Sequence, residues 1–236
     1  MNDNLGVRIN KYLSEAGVCS RREADRLIEQ GLVFIDGNVA ENGMKVMPGN
    51  VVTVNGKIVS KVNEQIYLAF NKPAGIVCTA EKKEKNNIID YLNYPKRLMY
   101  AGRLDKDSTG LIIMTNDGDL INKMMKARNH HEKEYIVTVK NKIDDSFINK
   151  MSSGVYLSEL EVTTRKCKVT KIDDFTFKII LTQGLNRQIR RMCTELGNSV
   201  KKLNRVRIMN IFLNDLKEGK YRNLSDEELC KLKSLL

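Results

Sequence analysis

The chain has 236 residues, which is enough to bury a sizeable hydrophobic core in one or two domains. Apolar residues make up 42% and charged residues 29%, values typical of globular proteins, so the composition excludes wholesale disorder. The formal net charge of +11 favours a polyanionic partner, of which nucleic acid is the commonest.

Several features exclude other classes of protein. No apolar run approaches the roughly 20 residues that span a bilayer, and the N-terminus lacks the pattern of a secretory signal. The five cysteines are scattered and form no C-x-x-C pair, which predicts reduced thiols rather than a disulfide framework or a zinc knuckle. His130 and His131 are adjacent, so their side chains diverge and no shared metal site is expected. We therefore expect a cytoplasmic protein without a membrane segment or a bound metal.

The first 60 residues predict a compact module of two helices and a small sheet. Ile9, Leu13 and Ala16 share one face of a helix that Gly17 ends. An S-x-x-E capping box, Ser20 to Glu23, begins a second helix, whose apolar face contains Ala24, Leu27 and Ile28 and which Gly31 caps.

Two strands follow in this module, at residues 32–35 and 51–54. Each is followed by a strong hairpin dipeptide, Asp36-Gly37 or Asn55-Gly56. The basic residues of the helical part are Arg8, Lys11, Arg21, Arg22 and Arg26. Acidic residues elsewhere cancel their charge, because residues 1–60 hold seven bases and seven acids.

A second predicted domain begins after a polar linker at residues 61–65. Residues 67–72 predict a strand that a proline turn ends, in the sequence Asn71-Lys72-Pro73-Ala74-Gly75. Residues 80–87 predict a solvent-exposed loop and residues 88–92 a short helix.

The segment of residues 102–115 is the most informative part of the chain. Gly102 and Gly110 bracket a turn that contains Arg103, Asp105 and Asp107. The apolar block 111–114 indicates a buried strand, although periodicity alone also permits a helix. An acid beside an arginine, just before a buried strand, is a candidate catalytic carboxylate. The alternative is an acidic turn that only keeps the loop in water.

Further elements follow downstream. Residues 117–126 and 146–151 predict helices, and residues 162–172 and 175–181 predict a pair of strands around Asp173-Asp174. Residues 134–139 predict a strand whose alternation places Tyr135, Val137 and Val139 on one face. Tyr135 is therefore expected on the buried side, either as a core residue or as part of a site.

A helix is predicted within residues 183–197, where the apolar spacing i, i+3, i+4, i+7 gives a buried face of Ile189, Met192, Cys193 and Leu196. At 100° per residue, Arg190 lies at the border of this face and must find an acid or reach out to solvent. The same geometry places Arg187 and Arg191 on the opposite side, facing solvent or phosphate.

A basic strand is predicted next, in which Val206 and Ile208 alternate with charged residues. Together with the helix it places seven bases within 21 residues, and such a surface would bind phosphate. The bases of the strand are Lys201, Lys202, Arg205 and Arg207.

These motifs together resemble the RsuA family of pseudouridine synthases, and within it the RluF branch. The N-terminal part, from V-R-I-N-K-Y-L to G-L-V-F-I-D-G, resembles the S4 RNA-binding module. The motifs N-K-P-A-G, G-R-L-D, D-S-T-G-L, H-E-K-E-Y and G-L-N-R-Q-I-R-R-M-C follow in the order of that family. The resemblance spans nearly the whole chain.

The resemblance implies a cofactor-free isomerisation of uridine in RNA, in which the glycosidic C–N bond breaks and the uracil is reattached through carbon. The catalytic aspartate of the family falls on Asp105 rather than Asp107, its tyrosine on Tyr135, and the arginine that pairs with the aspartate on Arg190. Arg103 would hold the everted base out of its stack, because a base inside a helix cannot be reached. Leu181 and Lys72 would support the pocket.

The resemblance further implies RNA contacts from the S4 module and the basic C-terminal segment, and a monomer. The RNA-contacting residues would be Arg8, Lys11, Arg21, Arg22, Arg187, Arg191, Lys201, Lys202, Arg205 and Arg207. The fold expected is α+β, with an S4 domain at 1–60, a linker at 61–65 and a catalytic domain at 66–236 built on a mixed, largely antiparallel sheet.

Ribosomal RNA is the expected substrate, with the large subunit favoured. Small-subunit RNA and tRNA remain alternative substrates, and a non-catalytic S4-domain ribosome assembly factor is an alternative function. A nuclease is disfavoured because no metal-binding acid or histidine cluster is apparent, and release of free uracil would identify a nucleosidase.

Overall fold

The computed structural model describes residues 6–60, 64–125 and 131–236. These residues fall into two compact units. The N-terminal unit takes its described residues from Met1–Ile66, Tyr94–Met99 and Asn116–Gly118, and the larger unit from Tyr67–Asn93, Tyr100–Thr115 and Asp119–Leu236. The domain limits 1–60, 61–65 and 66–236 stay a prediction, and residues 61–63 of the expected linker lie outside the described residues.

The N-terminal unit contains a helix pair and short strands. Its elements are β1 (Val7–Arg8), α1 (Ile9–Glu15), α2 (Arg21–Glu29), β2 (Val33–Ile35), β3 (Asn38–Val39), β4 (Lys45–Val46), β5 (Val52–Val54) and β6 (Lys57–Val59). Strand β1 pairs with β4, and the others form a sheet in the order β3-β2-β5-β6. Strands β1, β3, β4 and β6 were not predicted.

Local sequence explains the turns and helix ends of this unit. Asp36-Gly37 and Asn55-Gly56 both adopt positive φ, as a tight hairpin turn with the right-handed twist of its strands requires. Ser20 caps α2 by accepting a hydrogen bond from the backbone N–H of Glu23 at 3.2 Å. The Glu23 carboxylate pairs with Arg26. Ile9, Leu13, Ala24 and Ile28 form one core with β2 and β5, and Leu27 packs against it. Ala16, predicted on the same face, follows the end of α1 and lies outside this core.

The remaining elements build the larger part of the chain. The helices are α3 (Ile88–Leu92), α4 (Gly118–Met125), α5 (Asp145–Ser153), α6 (Gln188–Glu195) and α7 (Asp226–Ser234). The strands are β7 (Tyr67–Lys72), β8 (Met99–Ala101), β9 (Thr109–Thr115), β10 (Lys133–Val139), β11 (Tyr156–Leu157), β12 (Val162–Thr163), β13 (Lys168–Lys171), β14 (Thr176–Leu181), β15 (Val200–Ile208), β16 (Ile211–Phe212) and β17 (Tyr221–Asn223).

A large mixed sheet organises this unit. Within the described residues its order is β13-β14-β10-β15-β9-β7-β17, with β16 paired to β15 and β8 paired to β9. The β9–β15 pair is parallel, and the other pairs along this order are antiparallel. The expected α+β class with a mixed, largely antiparallel sheet is confirmed.

One hydrophobic core lies between α6, α5 and the strands β10, β14 and β15. It buries Val137, Val139, Ile189, Met192 and Cys193, and Tyr135 and Leu196 pack against it while partly buried. The inward face predicted for α6 is therefore confirmed, and so is the placement of Tyr135 with the buried side of β10.

The strand predicted at residues 162–172 is wrong as a single element. Val162–Thr163 pairs with β11, whereas Lys168–Lys171 pairs with β14. Between them the buried Thr164 bonds to Val155 through both its backbone and its hydroxyl. These bonds direct the chain away from the sheet, and alternation along the sequence cannot reveal such a long-range partner.

Three further predictions concern thiols, membrane segments and a helix end. All five cysteines are free thiols, as expected. Among the described residues, no helix is long and apolar enough to cross a membrane. The helix predicted at 117–126 is α4, although its last predicted residue, Lys126, lies outside the described residues, as does His130.

Candidate active site

The candidate catalytic residue Asp105 lies in the loop between β8 and β9. Its backbone carbonyl accepts a hydrogen bond from the Ser108 N–H at 3.1 Å, which closes a turn. The preceding residue, Leu104, is buried, and its N–H donates to the Cys78 sulfur at 3.4 Å. The Asp105 side chain is 27% exposed, so the loop presents this carboxylate to solvent from a fixed backbone.

Gly110 is needed where this loop enters β9. Its φ is +111°, and it pairs with Arg205 of β15. A Cβ at this position would lie 2.3 Å from the Arg205 carbonyl oxygen and 2.5 Å from the Arg205 nitrogen. A glycine is therefore required for the two strands to approach each other.

Arg190 of α6 meets the Asp105 carboxylate. Its Nε lies 3.4 Å from Asp105 Oδ2, and its side chain is only 15% exposed. Nη2 donates to the buried Ser108 hydroxyl at 3.2 Å, and Nη1 approaches the Val200 carbonyl at 3.5 Å. The position at the border of the buried face, predicted from helical spacing, thus leads this guanidinium to an acid.

Arg187 also faces Asp105, which corrects its predicted position on the opposite side of the helix. Its Nη1 lies 3.7 Å from Asp105 Oδ2, while its side chain is 47% exposed. The helix begins only at Gln188, and Arg187 adopts the left-handed conformation at φ 50° and ψ 33°. Helical spacing does not apply to a residue outside the helix.

Two arginines, Arg187 and Arg190, converge on the Asp105 carboxylate. Both arginines approach the same oxygen, Oδ2, at ion-pair rather than short hydrogen-bond distances. Opposite charges at these distances hold the Asp105 side chain towards the start of α6. Asp107 is exposed, and no ion pair joins it to a cation in the described part of the chain. Of the two acids in this loop, Asp105 is thus the one that lies beside arginines.

Arg191 was predicted to face solvent or phosphate, but neighbouring side chains engage its guanidinium group. It pairs with Glu159, and it donates to the backbone and side-chain oxygens of Asn186 at 3.0 and 3.2 Å. Its side chain is 19% exposed, whereas Glu159 is 70% exposed. An ion pair this open contributes at most about 1 kcal/mol, so its main effect is to hold the turn before α6.

A cavity of about 230 Å³ adjoins this arginine group. Its polar lining comes from the start and the end of α6 and from one acid outside the helix: Arg187, Arg190, Arg191, Thr194, Glu195 and Glu159. The arginines attract a polyanion to this cavity, although both acids reduce its net charge.

Sheet register relates Tyr135 to the loop of residues 102–108, which carries Asp105. Tyr135 pairs with Arg205, and Arg205 pairs with Gly110, so Tyr135 lies two strands from the end of the loop. The neighbouring strand residue Lys133 pairs with Leu181. Leu181 is 3% exposed and belongs to the core against which Tyr135 packs, so it supports the tyrosine from below.

Lys72 is fully buried under the loop. Its ammonium group donates to the carbonyls of Pro73, Ile76 and Lys106, at 2.7, 2.8 and 3.3 Å. Burial lowers the pKa of Lys72 below its ordinary value. These contacts fix the residue that follows Asp105, which agrees with a supporting role in the pocket.

The basic strand departs most from its predicted role in binding phosphate. Arg205 is 2% exposed. Arg207 forms ion pairs with Glu134 at 2.9 Å and Glu132 at 3.0 Å, and its side chain is 12% exposed. Neither can form an open phosphate-binding surface in this arrangement, while Lys201 and Lys202 remain exposed as predicted. The prediction failed because Arg205 lies on the same strand face as the buried Leu203.

The predicted RNA contacts of the N-terminal unit are mainly exposed. Arg8, Arg21 and Arg22 are exposed, whereas Lys11 is partly buried and lies 3.4 Å from Glu15. In the larger unit, Arg103 is exposed in the same loop as Asp105.

Sequence reasoning missed three residues that shape the site. The Ser108 hydroxyl accepts a hydrogen bond from Arg190, and the Cys78 sulfur accepts one from the Leu104 N–H. The side-chain oxygen of Gln188 accepts a hydrogen bond from the Leu185 N–H at 3.1 Å, just before α6. Ser108 stands in the D-S-T-G-L motif and could have been found from that motif, whereas nothing near Cys78 in the sequence points to the loop. Within residues 6–60, 64–125 and 131–236, no group of three acid, histidine or cysteine side chains could hold a metal ion.

Comparison with known families gives two matches along the chain. A model of the RNA pseudouridylate synthases matches residues 66–195, and a model of the S4 domain matches residues 7–52. The first match contains the loop residue Asp105, the strand residue Tyr135 and the α6 residue Arg190.

Named relatives cover almost the whole chain. The chain is 53% identical to the dual-specificity RNA pseudouridine synthase RluF of Escherichia coli K12, over all of this chain and 81% of the relative. It is 33% identical to the ribosomal large subunit pseudouridine synthase B of Bacillus subtilis, over 97% and 96% of the two chains. Identity is also 33% to the ribosomal small subunit pseudouridine synthase A of Pasteurella multocida, over 95% and 98%.

A solved structure shares the fold. The crystal structure of a pseudouridylate synthase superimposes with a TM-score of 0.70 at 28% identity, covering 98% of this chain and all of that one.

Proposed function

The chain belongs to the RNA pseudouridylate synthase family, and from this premise we propose that it converts uridine to pseudouridine in ribosomal RNA, with Asp105 as the essential catalytic residue. The contact between Asp105 Oδ2 and the Arg190 guanidinium carries the proposal. It joins a loop carboxylate to a helix arginine far away in the sequence, which is the pairing that the resemblance predicts.

The reaction is an isomerisation, so no atom is gained or lost. The C–N glycosidic bond of uridine breaks, the uracil rotates, and a C–C bond forms to the same sugar carbon while a proton leaves the base carbon and another is taken up at nitrogen. In this proposal Asp105 acts at the sugar or base, and Arg190 holds its carboxylate in place. Tyr135 stacks on the base and assists removal of the carbon-bound proton, and Arg103 holds the everted nucleotide out of its helix.

The N-terminal unit is proposed to bind the RNA. The S4 match at residues 7–52 and the exposed Arg8, Arg21 and Arg22 support this part of the proposal. We propose that the protein acts in the cytoplasm as a monomer, with domain limits at residues 1–60, 61–65 and 66–236.

Large-subunit ribosomal RNA is the favoured substrate class. The relative with 53% identity is named a dual-specificity enzyme, which supports a second RNA substrate, and tRNA is one of the alternatives that the sequence leaves open. The 33% identity to a small-subunit enzyme makes small-subunit RNA the third candidate. Mapping pseudouridines by carbodiimide-dependent primer extension, in cells with and without the gene, distinguishes the three.

The Asp105→Asn variant tests the catalytic assignment. We expect it to lower turnover by about 10³-fold or more, because the amide can act neither as a nucleophile nor as a base, while RNA affinity and folding persist. Turnover is measured as tritium release from RNA that contains C5-labelled uridine.

The matched control is Asp107→Asn, which removes an exposed acid from the same turn and should retain most activity. Full activity of Asp105→Asn would contradict the catalytic assignment. Release of free uracil by the native protein would instead identify a nucleosidase, and RNA binding without any turnover would identify an assembly factor.

A further inference from the structure

Arg205 is a buried cation in the middle of β15. It is 2% exposed, and no ion pair joins it to an acid within the part of the chain that the structure describes. Burying a guanidinium without such a pair is unfavourable. A role other than stabilising the core would account for an arginine at this position.

The guanidinium of Arg205 spans the catalytic loop. Nε donates to the Leu111 carbonyl at 2.7 Å, and Nη1 donates to the Arg103 carbonyl at 3.4 Å. These two carbonyls lie on either side of Asp105, one before it and one beyond Gly110. One side chain thus ties together the two ends of the segment 103–111.

The backbone of Arg205 holds the same segment. Arg205 pairs with Gly110 across the parallel β9–β15 ladder, at the position where no Cβ fits. The side chain and the main chain of one residue consequently restrain the loop from the same strand.

Between the Arg103 and Leu111 carbonyls, the loop backbone forms further hydrogen bonds at Lys106. The Lys106 carbonyl accepts from the Lys72 ammonium at 3.3 Å and from the Gly75 N–H at 2.8 Å. Asp105 is therefore flanked on both sides by backbone groups that are held from below.

We propose that Arg205 is a positioning residue for the isomerisation: by bridging the Arg103 and Leu111 carbonyls, its guanidinium sets the Asp105 carboxylate against Arg190. This inference rests on the proposed function for its catalytic consequence. An arginine is required because its planar group presents several donors at fixed angles, whereas a lysine carries one compact charge. Misplacing a catalytic group by about 1 Å can cost about 10²-fold in rate.

The test compares Arg205→Lys and Arg205→Met with matched changes at Arg222. Arg222 is a suitable control because it also donates to backbone carbonyls, those of Asn223 and Phe212, which lie outside the catalytic loop. For each variant, kcat and KM are measured by tritium release, RNA affinity by filter binding, and Tm by thermal melting.

We expect both Arg205 variants to lower kcat by about 10- to 100-fold, with KM and RNA affinity close to native values. The Arg222 variants should retain kcat even where their Tm falls. Arg205→Lys keeps the charge and the fold, so its reduced turnover would reflect the altered bridging geometry.

Native kcat in Arg205→Lys would overturn the proposal, since charge alone would then suffice. Weaker RNA binding with unchanged kcat would also overturn it and would show that Arg205 binds phosphate. Equal decreases of kcat in the Arg205 and Arg222 variants would overturn it as well, since they would show only a general decrease in stability.

Hydrogen exchange of the peptide that covers residues 102–111 separates this proposal from the proposed function. Faster exchange in Arg205→Lys but not in Arg222→Lys supports the tie on the loop, whatever reaction the protein catalyses. Unchanged exchange overturns it. If the two variants differ in exchange in this way but the native protein releases no tritium, only the proposed function is refuted.

Discussion

The basic side chains of the two compact units differ in exposure: those of the N-terminal unit mostly lie in solvent, whereas some of those in the larger unit are buried. In the N-terminal unit, Arg8, Arg21 and Arg22 extend from short elements into solvent. In the larger unit, Lys72 and Arg205 are buried and hold backbone carbonyls beneath the catalytic loop. A positive sequence charge therefore indicates an RNA-binding surface only where the side chains remain exposed.

The physical cause lies in the elements that carry these residues. A pair of short helices buries one apolar stripe and leaves the opposite face open, so a base on that face is hydrated. A central strand has neighbours on both edges, and here loops cover its middle as well. A base on such a strand is buried unless it lies near an end, as Lys201 and Lys202 do.

Among the variants that test this comparison, the largest effect is expected for the arginine that contacts Asp105. Arg190→Ala should lower kcat by about 10²-fold, because it removes the buried guanidinium that contacts both Asp105 and Ser108. Arg191→Ala should lower kcat by less than about 10-fold, since Arg191 contacts Glu159 and Asn186 rather than the carboxylate. Tritium release from saturating RNA measures both.

Equal decreases of kcat in these two variants would break the distinction between the residue that faces the acid and the one that holds the turn. Arg190→Lys refines the test. It keeps the charge near Asp105 but cannot reach the Ser108 hydroxyl with the same geometry.

An intermediate effect is expected for the exposed arginines of the N-terminal unit. Changing Arg21 and Arg22 together to Ala should weaken RNA binding and reduce the slope of log Kd against log salt by about 1 for each phosphate that these arginines neutralise. The kcat at saturating RNA should not change, because neither residue belongs to the catalytic loop. Filter binding over a series of salt concentrations measures the slope.

Arg207→Gln is the matched control for this measurement. Burial opposes the charge of Arg207, but the hydrogen bonds with Glu134 and Glu132 outweigh it and raise the pKa of Arg207. We expect this variant to leave the salt slope unchanged. A reduced slope would show that Arg207 releases its acids to bind phosphate, and the comparison of the two units would then fail.

Local patterns predicted much of the fold. The hairpin dipeptides, the Ser20 cap and the apolar face of α6 each depend on neighbours within one turn or one strand, and the structure confirms them. The missed elements depend on distant partners. Strand β1, for example, exists only because Val7 and Arg8 pair with β4.

The site was predictable to the same extent. The border position of Arg190 followed from helical spacing, and the structure places it beside Asp105. Arg187 was misplaced because α6 begins one residue later. Arg205 was misplaced because alternation groups the residues of one face but does not tell which face the rest of the chain covers.

The smallest expected effect concerns a pair that serves the fold alone. Arg222 donates to both oxygens of Glu228, at 2.7 and 2.8 Å. These hydrogen bonds lower the pKa of Glu228 below its ordinary value of 4.5. As the pH falls, the unfolded chain takes up a proton near the ordinary pKa, whereas the folded chain resists until a lower pH. The contribution to stability is therefore complete above pH 4.5 and is lost as the pH falls through the lowered pKa.

Glu228→Gln should accordingly lower the free energy of unfolding at neutral pH by no more than about 1 kcal/mol, because both side chains are partly exposed. The deficit should shrink in acid, where the native carboxyl is also neutral, and RNA affinity should not change. Urea unfolding as a function of pH measures this, with Glu227→Gln in the same helical turn as the control. A deficit that persists in acid would show that the ion pair is not the source of the stability, since only an ionised Glu228 can form that pair with Arg222.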